Sequence, residues 1–481
     1  MEYKWVALSN TTIGILMAAL DINIVLIALP TIGKNLAGMN AFNVLWVVLG
    51  YQLVIASVLV NFGRLSDMFG RVRLYTIGFA LFTIGSALCG FSANADQLIV
   101  FRVIQATGSA FLFSNSAAII TDAFPLNERG RALGINQISI VAGSVTGLIL
   151  GGALTTLLGW RWIFWVNVPI GIFATLWSHF KLRELSSLSS DHRLDIGGNL
   201  SFALALLFLL LAITLNAIAG LNIVMTGIML ISALILLVMF VRIEKRSENP
   251  MFDLTLFKNR VFNAGNETIF LNALSRGSFS LVMVFYLQGP LMNLTPLEAG
   301  IFLIPMSISL SIMGPISGTI SDSIGYRRPV LVGLLVTAIG FLIMADVGKS
   351  VTELQLLLPL VLIGGGMGIF ASPNRSSIMN SVPGPRRGVA SGISATLVNV
   401  GNTMSIGLAF LFMELSTPKV TLDSIFSGAD SALGAFSISG FVFSVHLVFL
   451  MSAAMLFISM LIYALLSNRK ENAVLKTRPI H

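Results

Sequence analysis

Asp21, Arg102, Glu267, Arg276 and Arg375 stand inside stretches that are otherwise apolar for about 20 residues, the length that crosses a hydrocarbon layer. An ionised side chain at such depth is costly unless it is paired or hydrated. These are therefore the positions where proton binding, ion pairing or recognition of a charged group is expected. Asn23, Gln52, Gln105, Asn115, Tyr286, Gln288, Asn374 and Asn399 lie in the same stretches and can either add polar contacts to a ligand or hydrogen-bond helix to helix. Arg276 follows Glu267 by nine positions, about half a turn out of phase on a helix, which excludes it as the partner of Glu267. Other chemistries find no support. His179, His192, His446 and His481 have no metal-ligand spacing, and no Walker-type phosphate loop or converging set of nucleophile and base is present. Neither an enzyme nor a bound metal or cofactor is expected.

The elements that hold these residues are helices in a membrane. A chain of 481 residues that is 56% hydrophobic and 10% charged, with mean hydropathy +0.89, cannot bury its apolar surface in one soluble core. The apolar stretches lack the polar alternation of outer-membrane strands, so the fold class is an all-α polytopic bundle. The first stretch, from about Val6 to Pro30, contains Asp21 and reads as a retained helix and not a signal peptide. Crossings are expected over 7–30, 43–63, 73–92, 97–121, 131–157, 161–180, 195–216, 221–242, 261–289, 296–318, 328–347, 354–379, 388–413 and 438–466. Alternate loops collect Arg64, Arg71, Arg73, Arg129, Arg131, Arg242, Lys245, Arg246, Arg327, Arg328, Arg386 and Arg387, with Arg469, Lys470, Lys476 and Arg478 in the tail. The opposite side holds Lys34, Arg161, Lys349 and Lys419. That asymmetry places both termini in the cytoplasm and accounts for the net charge of +8 without a nucleic-acid partner. The lone Cys89 permits no intramolecular disulfide and reads as a packed helix residue.

An internal repeat organises the helices. GRLSDMFGRVR at Gly63 to Arg73 returns as GTISDSIGYRR at Gly318 to Arg328, an offset of 255 (318 − 63). Each copy joins two apolar stretches, which implies duplicated bundles in a 6 + 2 + 6 order. The expected divisions are residues 1–180, a linker region of two additional helices over 181–260, and 261–481. Gly63 and Gly70 permit tight turning, while Asp67 can meet a helix N-terminus or the flanking Arg71 and Arg73. The loop therefore reads as a latch, with Gly318, Asp322, Gly325 and Arg328 forming a weaker second copy. Gly143, Gly147, Gly151 and Gly152 recur at near-helical spacing for close helix packing. Trp160, Trp162, Phe164 and Trp165 read as an interfacial anchor. The long outer connection from Glu414 to about Phe436 reads as a plain mobile loop, with a lid as the alternative.

Taken together, the repeated loop, DINIVLIALP from Asp21, FRVIQATGSA from Phe101, WRWIFWVNVPIG from Trp160 and LDIGG from Leu194 resemble the fourteen-helix drug:proton antiporter branch of the major facilitator superfamily. The family's antiporter motif has Pro after its second glycine, where this chain has Leu148, which leaves packing as the secure reading of those glycines. The resemblance implies that the first and fourth helices flank a central cavity, so that Asp21 pairs with Arg102. Protonation of Asp21 would then bias inward against outward conformations; the alternative is a permanent structural ion pair. By analogy, Glu267 is expected to pair with Arg375 in the second half. Under the 255-residue offset Arg276 aligns with Asp21 (276 − 21), which suggests either an acid for protons and an arginine for an anionic or zwitterionic substrate, or mutual neutralisation. The implied function is proton-coupled export of small amphipathic or hydrophobic compounds by alternating access. The alternatives are a transporter of an endogenous anion, amphiphile or metabolite, and a non-transporting sensor or scaffold. Expected partners are a small-molecule substrate, protons and membrane lipid, with the monomer as the working unit.

Overall fold

The structure, a computed structural model, describes residues 2–125, 128–185, 195–215, 222–247, 250, 252–289, 291–346, 353–383, 386–414, 416–427 and 435–466. His192, Lys349, His481 and the basic tail residues Arg469, Lys470, Lys476 and Arg478 lie outside these. Among the described residues fourteen helical segments are long and apolar enough to cross a membrane, as the hydropathy pattern requires. In chain order the helices are α1 (Tyr3–Asn35), α2 (Ala41–Phe69), α3 (Arg71–Phe91), α4 (Ala95–Ala123), α5 (Arg129–Leu157), α6 (Trp162–Trp165), α7 (Asn167–Lys181), α8 (Ile196–Thr214) and α9 (Ile223–Arg246). They continue as α10 (Arg260–Arg276), α11 (Phe279–Gln288), α12 (Pro296–Phe302), α13 (Ile304–Ile324), α14 (Arg327–Ala345), α15 (Glu353–Asn380), α16 (Arg387–Glu414), α17 (Lys419–Ser427) and α18 (Ala435–Leu466). The ninth crossing is broken between α10 and α11, and the tenth between α12 and α13.

Short polar side chains start many of these helices. The side chains of Asn40, Asn94, Asp195 and Asn259 accept from backbone N–H groups in the first turns of α2, α4, α8 and α10. For LDIGG this is the visible local role: Asp195 Oδ1 accepts from Gly198 N at 2.8 Å. Gly70 alone separates α2 from α3, at φ 104°, a backbone state that needs glycine.

The helices form two compact units. One comprises Met1–Met251, Leu281–Phe302 and Pro418–Gly434; the other comprises Phe252–Ser280, Leu303–Thr417 and Ala435–His481. Within the first unit, α1 runs against α5, and α8 joins α2 through Trp46 Nε1 donating to Thr214 Oγ1 at 3.2 Å and Asn199 Nδ2 to the Ser57 carbonyl at 2.5 Å. The additional helices thus pack with the first six, while α9 turns Ile223, Ile231, Leu234 and Ile235 outward as a lipid-facing side would. The outer connection expected as a plain loop holds α17, whose Asp423 Oδ1 accepts from Ala41 N, the first residue of α2, at 2.8 Å. Within the second unit, α10 packs on α16, and α15 lies against α13 and α14.

Candidate functional site

At the centre of the first unit, Asp21 and Arg102 form an ion pair shut off from solvent, at 0% and 2% exposure. Arg102 is placed on α4 and Asp21 on α1, and Arg102 Nη1 donates to Asp21 Oδ2 at 2.5 Å. The other carboxylate oxygen, Oδ1, accepts from Gln105 Nε2 at 2.8 Å and from Asn167 Nδ2 at 3.0 Å. Arg102 Nη1 also donates to Gln105 Oε1 at 2.8 Å, its Nε points to the Val47 carbonyl at 3.4 Å, and its guanidinium carbon lies 4.0 Å from the centre of the Tyr51 ring. Four helices, α1, α2, α4 and α7, therefore converge on one carboxylate and one cation. A buried charge pair is tolerated when its remaining lone pairs and protons find partners, and here hydrogen bonds to both Asp21 oxygens and to Arg102 Nη1, with a cation–π contact, supply most of them.

Of the residues singled out in the sequence, the structure brings Asp21, Arg102 and Gln105 together in this cluster. Tyr51 and Asn167 are additions. Gln52 is the expected polar residue on α2, but it is half-buried while Tyr51, one 100° step away, is the residue that faces Arg102. Asn167 carries a signal in the sequence, as a lone amide in an apolar run shortly before Pro169 and within one of the family-like motifs. Asn23 and Asn115 do not join the network. Their Nδ2 atoms bond back to Ala19 and Phe111 carbonyls one turn earlier, at 3.0 and 2.9 Å, and Asn399 does the same to Ala395 at 2.9 Å.

The second unit corrects two expectations. Glu267 does not pair with Arg375: Glu267 Oε1 accepts from Asn263 Nδ2 at 3.0 Å, and Arg375 is exposed. The buried residue facing α10 is Asn374, whose Nδ2 donates to the Gly265 carbonyl at 3.0 Å. Helix packing explains the miss. A side chain at Gly85 would meet Gln105 N, and one at Gly340 would meet Ile363 N, so the α4 and α15 positions correspond at an offset of 258 (363 − 105). Arg375 then matches Ala117, and the counterpart of Arg102 is the buried Leu360. Likewise Gly143 closes on Leu16 O and Ala19 Cβ, as Gly401 closes on Phe270 O and Ala273 Cβ, an offset of 254 (273 − 19). Asp21 therefore corresponds to the buried Ser275, and Arg276 stands one residue beyond, half-buried, with Nε donating to Asn272 Oδ1 at 3.2 Å. Of the remaining expected residues, Tyr286 is buried and Gln288 Nε2 donates to the Ile27 carbonyl at 2.9 Å, both in the first unit.

Two consecutive segments, residues 11–193 and 193–406, match the profile of a single transporter family. The chain belongs to the Major Facilitator Superfamily. It is 34% identical over 437 residues to the riboflavin transporter RibZ of Clostridioides difficile, covering 90% of this chain and 92% of that one. It is 34% identical over 402 residues to the multidrug resistance protein Stp of Mycobacterium tuberculosis, covering 83% of this chain and 74% of that one. The fold is also that of a bacterial homolog of the human lysosomal transporter Spinster, with a TM-score of 0.70 at 18% identity over 100% of this chain and 99% of that one. This major facilitator chain is a multi-pass membrane protein of small-molecule transport.

The family's repeated loop is built differently in its two copies. In the first, Arg71 Nε donates to Asp67 at 2.8 Å and Nη1 to both Asp122 oxygens at 2.8 and 2.7 Å, while Glu184 accepts from Val72 N at 2.9 Å. These contacts, where the sequence suggests a latch, join α2, α3 and α4. Arg73 flanks it without an ion pair among the described residues, and Gly63 borders open space. In the second, Gly325 at φ 83° repeats the turn of Gly70, but Asp322 and Arg328 are exposed and Gly318 closes only on Ser372 Oγ. Tyr326 occupies the place of Arg71, and its hydroxyl accepts from Asn380 Nδ2 at 2.6 Å, where Asn380 matches Asp122 at the 258 offset. The predicted packing glycines serve α1: side chains at Gly143 and Gly147 would stand 2.6 Å from the Leu16 and Leu20 carbonyls, and one at Gly151 2.5 Å from Ile27 Cγ2. Gly152 closes instead on Pro296 and Leu297. Of the aromatic group, Trp162 is exposed as an anchor would be, whereas Trp160 and Phe164 are buried.

Proposed function

We propose that this protein exports small amphipathic or hydrophobic compounds by alternating access, driven by protons that bind at Asp21. The observation that carries this reading is the sealed cluster around that carboxylate. Arg102, Gln105 and Asn167 all donate to it. A proton on Asp21 would turn a balanced ion pair into a neutral acid beside an isolated cation, and would remove acceptor capacity from groups on α4 and α7. The packing of α1 against those helices would then favour a different arrangement, which is what coupling requires. The name of Stp, a multidrug resistance protein, supports the cargo class. We place the chain in the cell membrane with both termini cytoplasmic, acting as a monomer in contact with lipid and without catalysis. A second reading, transport of an endogenous metabolite, is favoured by the name of RibZ, a riboflavin transporter.

Proteoliposomes with an imposed pH gradient test the first reading. Asp21→Asn is expected to insert and bind cargo but to lose gradient-driven flux by about a hundredfold. Flux with an unchanged response to the gradient removes Asp21 from the mechanism.

A further inference from the structure

The second unit carries a cation, Arg276, that no acid among the described residues balances. Arg276 is the last of the 17 residues of α10, about 24 Å along the helix from its first residue and so deep in the hydrocarbon layer. Among the described residues its single hydrogen bond runs from Nε to Asn272 Oδ1, and both terminal NH2 groups have no protein acceptor. The C-terminal carbonyls of α10 offset roughly half an elementary charge, which leaves net positive charge in place. Asn272 adds to it. The residue is 4% exposed, its Oδ1 is committed to Arg276, and its Nδ2 is buried without a partner. The helix ends here: a side chain at Gly277 would stand 2.5 Å from Asn402 Cα, so α16 crosses at the break, and the Ser278 N–H is taken by Ser405 Oγ at 2.9 Å.

We infer that Arg276 and Asn272 form a binding site for an anionic oxygen group, a carboxylate or phosphate, carried by the transported compound. On Arg276 and Asn272 themselves the unspent groups are all donors, the terminal guanidinium nitrogens and an amide NH2, while the buried Oδ1 of Asn402 across Gly277 accepts from neither. Only an acceptor satisfies them, and a negatively charged acceptor also balances the charge. Arg276 is half-buried, so the site is reachable, whereas the fully buried Arg102 already has its carboxylate. The inference rests on the transport reading above and narrows its cargo to amphipaths that carry an acid.

The test is binding to purified protein in phosphatidylcholine nanodiscs, followed by fluorescence anisotropy of two amphipathic dyes, anionic fluorescein and cationic rhodamine 6G. Fluorescein is expected to bind the wild type, to lose about tenfold in affinity in Arg276→Gln and about threefold in Asn272→Ala, and to keep most affinity in Arg276→Lys. Rhodamine 6G is expected to respond to none of them. No fluorescein binding to the wild type, unchanged affinity in Arg276→Gln, or equal loss of both dyes overturns the site. If Arg276→Gln does not yield monodisperse protein, Asn272→Ala and Arg276→Lys carry the same comparison. Replacing half the lipid with phosphatidylglycerol is expected to leave fluorescein affinity unchanged. Competition by that lipid would reassign the site to a headgroup phosphate and overturn the cargo inference. Asp21→Asn is expected to retain fluorescein binding, so loss of this site and loss of proton coupling are read separately.

Discussion

Asp21, Arg102 and Gln105 in the first unit have Ser275, Leu360 and Ile363 as their counterparts in the second, and all six are buried. The same helix pairings, closed by equivalent glycines, thus hold a charged cluster in one unit and an uncharged interior in the other. The difference teaches that charge is not what holds these helices together: the second unit packs the same way without it. A buried ion pair is in any case weak support for a fold, because desolvation offsets most of its attraction. On the proposed reading, the cluster around Asp21 is kept for proton coupling and not for the fold. In the second unit a charge of the opposite sign stands one residue further along α10, at Arg276, and no acid among the described residues meets it.

The largest effect that sharpens this contrast comes from giving the first unit half of the second unit's interior. Arg102→Leu leaves Asp21 as an isolated buried carboxylate and is expected to cost about 3–5 kcal/mol, read as a loss of thermal stability in detergent. The triple change Asp21→Ser, Arg102→Leu and Gln105→Ile removes the charge altogether, and is expected to recover most of that stability while gradient-driven flux stays lost. A triple variant as unstable as Arg102→Leu would break the comparison, since it would show that the cluster is structural.

A smaller effect separates packing from coupling. Gly143→Ala and Gly401→Ala insert a methyl group at equivalent contacts, 2.6 Å from the Leu16 carbonyl and 2.8 Å from Ala273 Cβ. Both are expected to destabilise by about 1–3 kcal/mol through overpacking. Only the first displaces the helix that carries Asp21, so only Gly143→Ala is expected to shift the pH dependence of transport, measured as initial flux against external pH. Equal shifts in both would tie coupling to general loosening of the bundle.

Much of this architecture is legible in the residues. Hydropathy alone places the crossings, because a lipid-spanning helix must be apolar over a length set by the bilayer. The depth of Asp21 and Arg102 marks them as candidates before any coordinates, since a lone charge there is too costly, and the family resemblance supplies their pairing. What fails is register. The loop repeats at 255, but the helices beyond it correspond at 254 and 258, because connecting loops differ in length between the halves. One residue is 100° on a helix, enough to put Ser275 and not Arg276 in the place of Asp21, and Tyr51 and not Gln52 against Arg102. Arg375, expected as the second-half equivalent of Arg102 and the partner of Glu267, is likewise an exposed residue matching Ala117. Side-chain type reports what a helix must bury, and only the packed glycines report which way each residue faces.

The smallest expected effect lies in the latch. Arg71 bridges Asp67 and Asp122 with its side chain 23% exposed, so Arg71→Ala is expected to cost about 1 kcal/mol, while Arg328→Ala, exposed in the second copy, is expected to stay within about 0.5 kcal/mol. The informative variant rebuilds the missing pair. Tyr326→Arg with Asn380→Asp places an ion pair where a neutral hydrogen bond now joins Tyr326 and Asn380. A double-mutant cycle on thermal stability is expected to give a favourable coupling of about 0.5 kcal/mol, because the turn at Gly325 already holds the backbone as Gly70 does. If the coupling is zero, the two turns share a shape without sharing the side-chain geometry that makes the first one a latch, and the asymmetry between the copies lies in the backbone beneath them.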